Sequence, residues 1–98
     1  MRKEVREIYK KAFVMWGRDL QLNMVIEEAS EIIQAVCKFK RNPCPACLDE
    51  VIEEIVDVRI MLEQIECIFG LTRRIQAERT RKLRRLKRRL RNGYDPNK

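Results

Sequence analysis

The sequence predicts an all-α protein, an antiparallel helical bundle of about four helices that is completed by oligomerisation. Apolar residues recur at helical spacing through most of the 98 residues, and no segment alternates in the manner of a half-buried strand. Breaks at Trp16-Gly17, at 42–45 and at Gly70 divide this pattern, and such short connections make neighbouring helices antiparallel. A chain of this length forms one small domain, residues 1–98.

Capping and breaking residues set the predicted bounds of the helices. Asp19 is a plausible N-cap of the second helix, Pro43 and Pro45 end that helix, and Gly70 follows the third. The last five residues are predicted to be loose. The four predicted helices span about 3–15, 20–41, 48–69 and 72–91.

Each predicted helix carries an apolar stripe that is expected to face a core. The stripes are Val5, Ile8, Ala12 and Met15; Leu22, Val25, Ala29, Ile32 and Val36; Val51, Ile55, Val58, Leu62, Ile65 and Phe69; and Ile75, Leu83, Leu86 and Leu90. Three further apolar residues of the third helix, Ile52, Val56 and Ile60, fall outside its stripe. A subunit partner is expected to cover them.

Charge and residue types restrict the chemistry and the location. The net charge of +7 arises in the tail: residues 1–70 hold ten Lys/Arg against thirteen Asp/Glu, and residues 71–98 hold twelve against two. The chain has no histidine, which excludes Ser-His and Cys-His catalysis and histidine-ligated zinc. No apolar run approaches the ~20 residues of a membrane span, and the first residues lack the apolar centre of a signal peptide. We therefore expect a cytoplasmic protein.

Carboxylates flank the stripes of the two central helices. At about 100° per residue, Glu28 and Glu31 lie side by side next to the second stripe, whereas Glu27 faces the other way. Glu54 and Asp57 repeat the arrangement beside the third stripe. Four like charges between neighbouring helices repel one another unless a cation lies among them, and an all-oxygen set favours Mg²⁺. The alternative is an ordinary solvated acidic surface.

These carboxylates resemble a known signature. Glu27-Glu28-Ala29-Ser30-Glu31, followed after twenty-two residues by Glu54-Ile55-Val56-Asp57, is similar to the EExxE…ExxD motif of the MazG-like, all-α nucleoside triphosphate pyrophosphohydrolases. The resemblance covers roughly residues 13–90. It includes Trp16, Gln21, the run EIVDVRIMLEQIECIFG and the segment Lys82-Leu83-Arg84-Arg85-Leu86.

The resemblance implies an enzyme that acts on an acid anhydride. Such an enzyme hydrolyses a nucleoside or deoxynucleoside triphosphate to the monophosphate and pyrophosphate with Mg²⁺, for which Mn²⁺ can substitute, and it works as a homodimer or homotetramer. The implied metal ligands are the four residues that the helical wheel selects, Glu28, Glu31, Glu54 and Asp57. Glu27 matches the motif but faces outward, so we leave it out of the ligand set.

The resemblance also implies roles at the substrate. Water is the expected nucleophile, oriented or deprotonated by Glu31 or Glu54. Lys82 and Arg85 are candidates to hold the outgoing pyrophosphate. Trp16 is a candidate to stack on the base and Gln21 to bond its edge, although a tryptophan before a glycine is also typical of a core or an interface.

Two features leave alternatives open. Cys44 and Cys47 form a CxxC between the motif helices, and a CxxC often begins a zinc site. A complete site needs two more ligands, but Cys37 and Cys67 lie inside helices. We therefore interpret the pair as idle thiols in an exposed loop. The arginine-rich fourth helix is either an assembly helix or a surface for nucleic acid. The second candidate function is thus a small helical nucleic-acid-binding protein, which would act through phosphate contacts because residues 72–93 contain no aromatic residue.

Overall fold

Three helices make up the computed structural model, which describes residues 1–93 and 95–97. They are α1 (Lys3–Arg41), α2 (Pro45–Ile68) and α3 (Thr72–Arg91). No strand occurs in these described ranges, which confirms the all-α prediction. Tyr94 and Lys98, part of the tail predicted to be loose, lie outside the described residues.

Helix α1 joins the first two predicted helices and is interrupted once, at Gly17. This residue has φ 80° and ψ 171°, a backbone conformation that is essentially restricted to glycine. The helix resumes immediately after it, so Asp19 lies within α1 and is not the N-cap that the sequence predicted. Its carboxylate instead accepts a hydrogen bond from Arg18 at 3.5 Å.

Helix α2 begins earlier than the sequence predicted. Cys44 is its N-cap and Pro45 occupies the first helical turn, where a missing N–H costs nothing. Proline therefore ends the preceding helix and also starts this one. At the other end, Gly70 has φ 65° and Leu71 N–H bonds to the carbonyl of Glu66 at 2.9 Å, which closes the helix as a left-handed C-terminal turn.

Helices α1 and α2 pack against each other in an antiparallel arrangement. Their buried residues are Tyr9, Gln21 and Ala35 from α1, and Cys47, Met61 and Gln64 from α2. The contact is rotated from the predicted stripes toward the carboxylate flank. Five residues of the first three predicted stripes are exposed: Ile8, Met15, Val36, Leu62 and Phe69.

Helix α3 stands apart from this pair. It contains no buried residue, and its predicted stripe of Ile75, Leu83, Leu86 and Leu90 is 40 to 70 % exposed. Over the described residues, α3 meets α2 only slightly and its backbone does not approach α1. The single chain therefore packs the two segments of α1 against α2 and leaves the basic helix outside.

None of the three described helices has a stretch both apolar enough and long enough to span a bilayer.

Candidate metal centre

Four carboxylates meet where α1 packs against α2. Oxygen atoms of Glu28, Glu54 and Asp57 all lie within 4.8 Å of one another. Glu31 lies near enough to Glu28 and Glu54 that its negative charge raises the pKa of both. The structure thus brings together the four residues that the sequence singled out, and Glu27 is exposed on the opposite side, as the helical wheel predicted.

The convergence follows from spacing and register. On each helix the two carboxylates are three residues apart and therefore share a face. The antiparallel register is fixed on one side by Lys38 Nζ, which lies 3.1 Å from Glu50 Oε1. On the other side the Tyr9 hydroxyl donates a hydrogen bond to Glu63 Oε1 at 3.2 Å. Between these two contacts the carboxylates of α1 and α2 necessarily face each other.

This arrangement is electrostatically costly without a counter-charge. Burial raises the pKa of Glu28 and of Glu54, and repulsion from Glu31 and Asp57 raises both further. One oxygen of each, Oε2, is buried and has no hydrogen-bond partner among the described residues. A buried, unpaired carboxylate oxygen is unfavourable, so the cluster is a natural site for a cation.

A cleft of about 260 Å³ opens beside the cluster. Its lining residues are Glu31, Gln34, Ala35, Lys38, Glu50 and Glu54. The ammonium group of Lys38 is already engaged with both oxygens of Glu50, at 3.1 and 3.2 Å. An all-oxygen donor set beside an open cleft suits a hard divalent cation that keeps part of its water shell, and Mg²⁺ is the commonest such ion.

The other sequence-predicted residues lie away from the carboxylates. Gln21 is only 1 % exposed, with an unpartnered Nε2, and lies about two helical turns before Glu28. Trp16 is 46 % exposed and lies on the other side of the Gly17 break. Lys82 and Arg85 neighbour Glu78 on α3, and the single chain does not bring them to the cluster.

Sequence reasoning missed two contributors to this face. Lys38 lines the cleft, and Gln64 is buried with an unpartnered Oε1. In the antiparallel register that brings Glu31 near Glu54, Gln64 lies opposite Gln21. Each follows a predicted ligand by seven residues, Lys38 after Glu31 and Gln64 after Asp57. Two helical turns return to the same face, so this spacing was the available signal.

Comparison of the chain with protein-family models, with curated proteins and with solved structures finds no match to any of them.

The raised pKa values of Glu28 and Glu54 predict a pH dependence of stability in metal-free protein. Because both pKa values exceed the ordinary value of 4.5, the folded chain binds more protons than the unfolded chain between pH 4.5 and the raised pKa values. The contribution of these two groups to the free energy of unfolding is present in full below pH 4.5 and is lost as pH rises through their raised pKa values. Urea unfolding with a chelator, from pH 4.5 to neutrality, should show a smaller loss of stability in the double variant Glu28→Gln/Glu54→Gln than in the parent.

The matched control is Glu27→Gln/Glu53→Gln, which removes two exposed glutamates adjacent in sequence. It should follow the parent across the pH series. Identical pH profiles for the two double variants would show that the cluster is solvated and carries no strain.

Proposed function

We propose that the protein is a magnesium-dependent nucleoside triphosphate pyrophosphohydrolase, which cleaves its substrate to the monophosphate and pyrophosphate. The observation that carries the proposal is the convergence of Glu28, Glu54 and Asp57 from α1 and α2, with Glu31 beside them and a buried, unpartnered oxygen on Glu28 and on Glu54. The spacing of these residues along the chain resembles the EExxE…ExxD signature and supports the same reaction.

In this proposal Glu28, Glu31, Glu54 and Asp57 hold the metal. Bound Mg²⁺ supplies charge neutralisation of the phosphates and polarisation of the α-phosphorus. A water molecule is the nucleophile, and Glu31 or Glu54 orients it and accepts its proton.

The substrate groups beyond the metal need further partners. Lys82 and Arg85 are proposed to hold the pyrophosphate, Trp16 to stack on the base and Gln21 to bond its edge. Since the single chain keeps α3 away from the carboxylates, the two cations reach a site only if α3 packs on another subunit. The proposal therefore includes a homodimer or homotetramer, in which the helices of the copies complete the bundle.

Hydrolysis with a defined product is the first test. Purified protein incubated with each common NTP and dNTP plus Mg²⁺ should release pyrophosphate and the monophosphate, and EDTA should stop the reaction. Glu54→Gln should abolish turnover, because a neutral amide is a poorer ligand and a poorer base, whereas Glu53→Gln on the exposed face should leave it unchanged. Release of orthophosphate with a diphosphate product would contradict the proposal.

Assembly is the second test. Ile52, Val56 and Ile60 of α2 are 43 to 51 % exposed, and a partner subunit should cover them. Light scattering at micromolar concentration should therefore report a dimer or tetramer. The variant Val56→Lys/Ile60→Lys should dissociate it, and the exposed polar substitution Asn23→Lys should not. A monomeric parent protein would overturn the assembly.

A second candidate function is nucleic-acid binding through α3. The observation that favours it is the exposure of this helix, which carries eleven Lys/Arg and one glutamate and buries no residue. Such a helix attracts phosphates without reading bases. The acidic face of α1 and α2 would then serve only as a scaffold.

Substitutions in α3 distinguish the two functions. If Lys82 grips the leaving pyrophosphate, Lys82→Ala should lower turnover by about tenfold or more, as expected for a charged hydrogen bond worth about 1.5–3 kcal/mol. The double variant Arg88→Ala/Arg91→Ala should barely change turnover. Nucleic-acid binding predicts instead that all these substitutions weaken affinity by comparable amounts and flatten its salt dependence. Equal losses of affinity, with no triphosphate cleavage in the parent, would favour nucleic-acid binding.

A further inference from the structure

The second group of reactive side chains is the cysteine pair at the start of α2. The sequence predicted idle thiols in an exposed loop, and the placement in an exposed loop was wrong. Cys44 is the N-cap of a helix of 24 residues and Cys47 lies in its first turn, only 4 % exposed. The two Sγ atoms are 3.0 Å apart and share a hydrogen bond. One accessible and one buried thiol are thus held in direct contact.

The position of Cys44 stabilises a thiolate there. The backbone N–H of Cys47 donates to Cys44 Sγ at 3.3 Å, and the N-terminus of a helix favours negative charge. The titratable groups near Cys44 are Cys47 on the same helix and Lys38 on α1. The ammonium group of Lys38 is paired with Glu50. The hydrogen bond from Cys47, with the backbone donors, lowers the pKa of Cys44, and the same contact raises the pKa of Cys47.

Zinc does not explain the pair. A structural zinc site needs four ligands, and the chain has no histidine. Cys67 is twenty residues beyond Cys47 on the same helix, about 30 Å along its axis, and Cys37 lies exposed on α1. Among residues 1–93 and 95–97, the side chains that gather in metal-binding geometry are the carboxylates Glu28, Glu54 and Asp57. This group includes no cysteine.

We propose that Cys44 and Cys47 form a redox-active dithiol that exchanges with a low-molecular-weight disulfide. The Cys44 thiolate attacks one sulfur of the disulfide RSSR, which forms a mixed disulfide and releases RS⁻, and this takes up a proton to give the first RSH. Cys47 then loses its proton and attacks Cys44 Sγ, which releases the second RSH. Two protein thiols are oxidised to one disulfide, and RSSR is reduced to two thiols.

The structure gives each cysteine its role. Cys44 is the attacking thiol because it is the more accessible and lies at the helix N-terminus, and Cys47 is the resolving thiol because it is buried against it. Moving the sulfurs from 3.0 Å to a disulfide bond of about 2 Å requires a movement of about 1 Å. This site lies outside the carboxylate cluster, and the proposal does not depend on the hydrolase activity.

The test uses the full chain in buffers of glutathione and glutathione disulfide over a range of ratios. Thiols are quenched with acid, alkylated, and assigned by peptide mass spectrometry. The parent should form the Cys44–Cys47 disulfide while Cys37, an exposed thiol in the same chain, stays reduced. Cys47→Ser should instead accumulate a glutathione adduct on Cys44, and Cys44→Ser should give several-fold less adduct on Cys47.

A second measurement on the parent alone keeps the proposal testable if a variant fails to fold. With limiting iodoacetamide at neutral pH, Cys44 should be alkylated several-fold faster than Cys37. Circular dichroism of the serine variants checks that helix content is unchanged. The proposal is overturned if Cys44 reacts no faster than Cys37, if the disulfide does not form at ratios that modify Cys37, or if the purified protein carries zinc on the pair.

Discussion

The repulsion among carboxylates between α1 and α2 is the constraint on which the rest of the structure depends. Helix packing normally buries apolar side chains, yet here the contact face includes Glu28, Glu31 and Glu54. Two contacts lie on either side of the carboxylates, from Lys38 to Glu50 and from Tyr9 to Glu63. Like charges are thus kept together, partly desolvated and with unpartnered oxygens, and a bound cation is the proposed source of compensation.

The rest of the contact between α1 and α2 is apolar only in part. Two of its six buried residues, Gln21 and Gln64, are amides, and each keeps an unpartnered atom. A small domain whose core is partly given to a site has little apolar surface left to stabilise it. The exposed apolar residues of α2 and the unpacked stripe of α3 are where further stabilisation is available, and a second copy of the chain is the proposed source.

Local signals in the sequence predicted most of the fold, because helix spacing and breaking residues act locally. Gly17 was recognised as a break but not as a kink within α1, since the path of the chain beyond a glycine depends on packing. The clustering of the carboxylates was predicted from their spacing and from the expected packing of the two helices that carry them. The sequence did not predict that Gln21, Ala35 and Met61 are buried while Val36 and Leu62 are exposed. A helical wheel that sorts residues by polarity places the contact on the most apolar face. The separation of α3 and the contact between Cys44 and Cys47 are tertiary features without a local signal.

The most direct measurement of the central claim is a count of bound cations. Mn²⁺ occupies all-oxygen sites of the kind that bind Mg²⁺, and electron paramagnetic resonance distinguishes its free and bound forms. We expect saturable binding of Mn²⁺ to the parent protein. Mg²⁺ should compete with it, and the binding should be lost in Glu28→Gln/Glu54→Gln and retained in Glu27→Gln/Glu53→Gln. Absence of bound Mn²⁺ in the parent, or equal loss in both double variants, would contradict the claim.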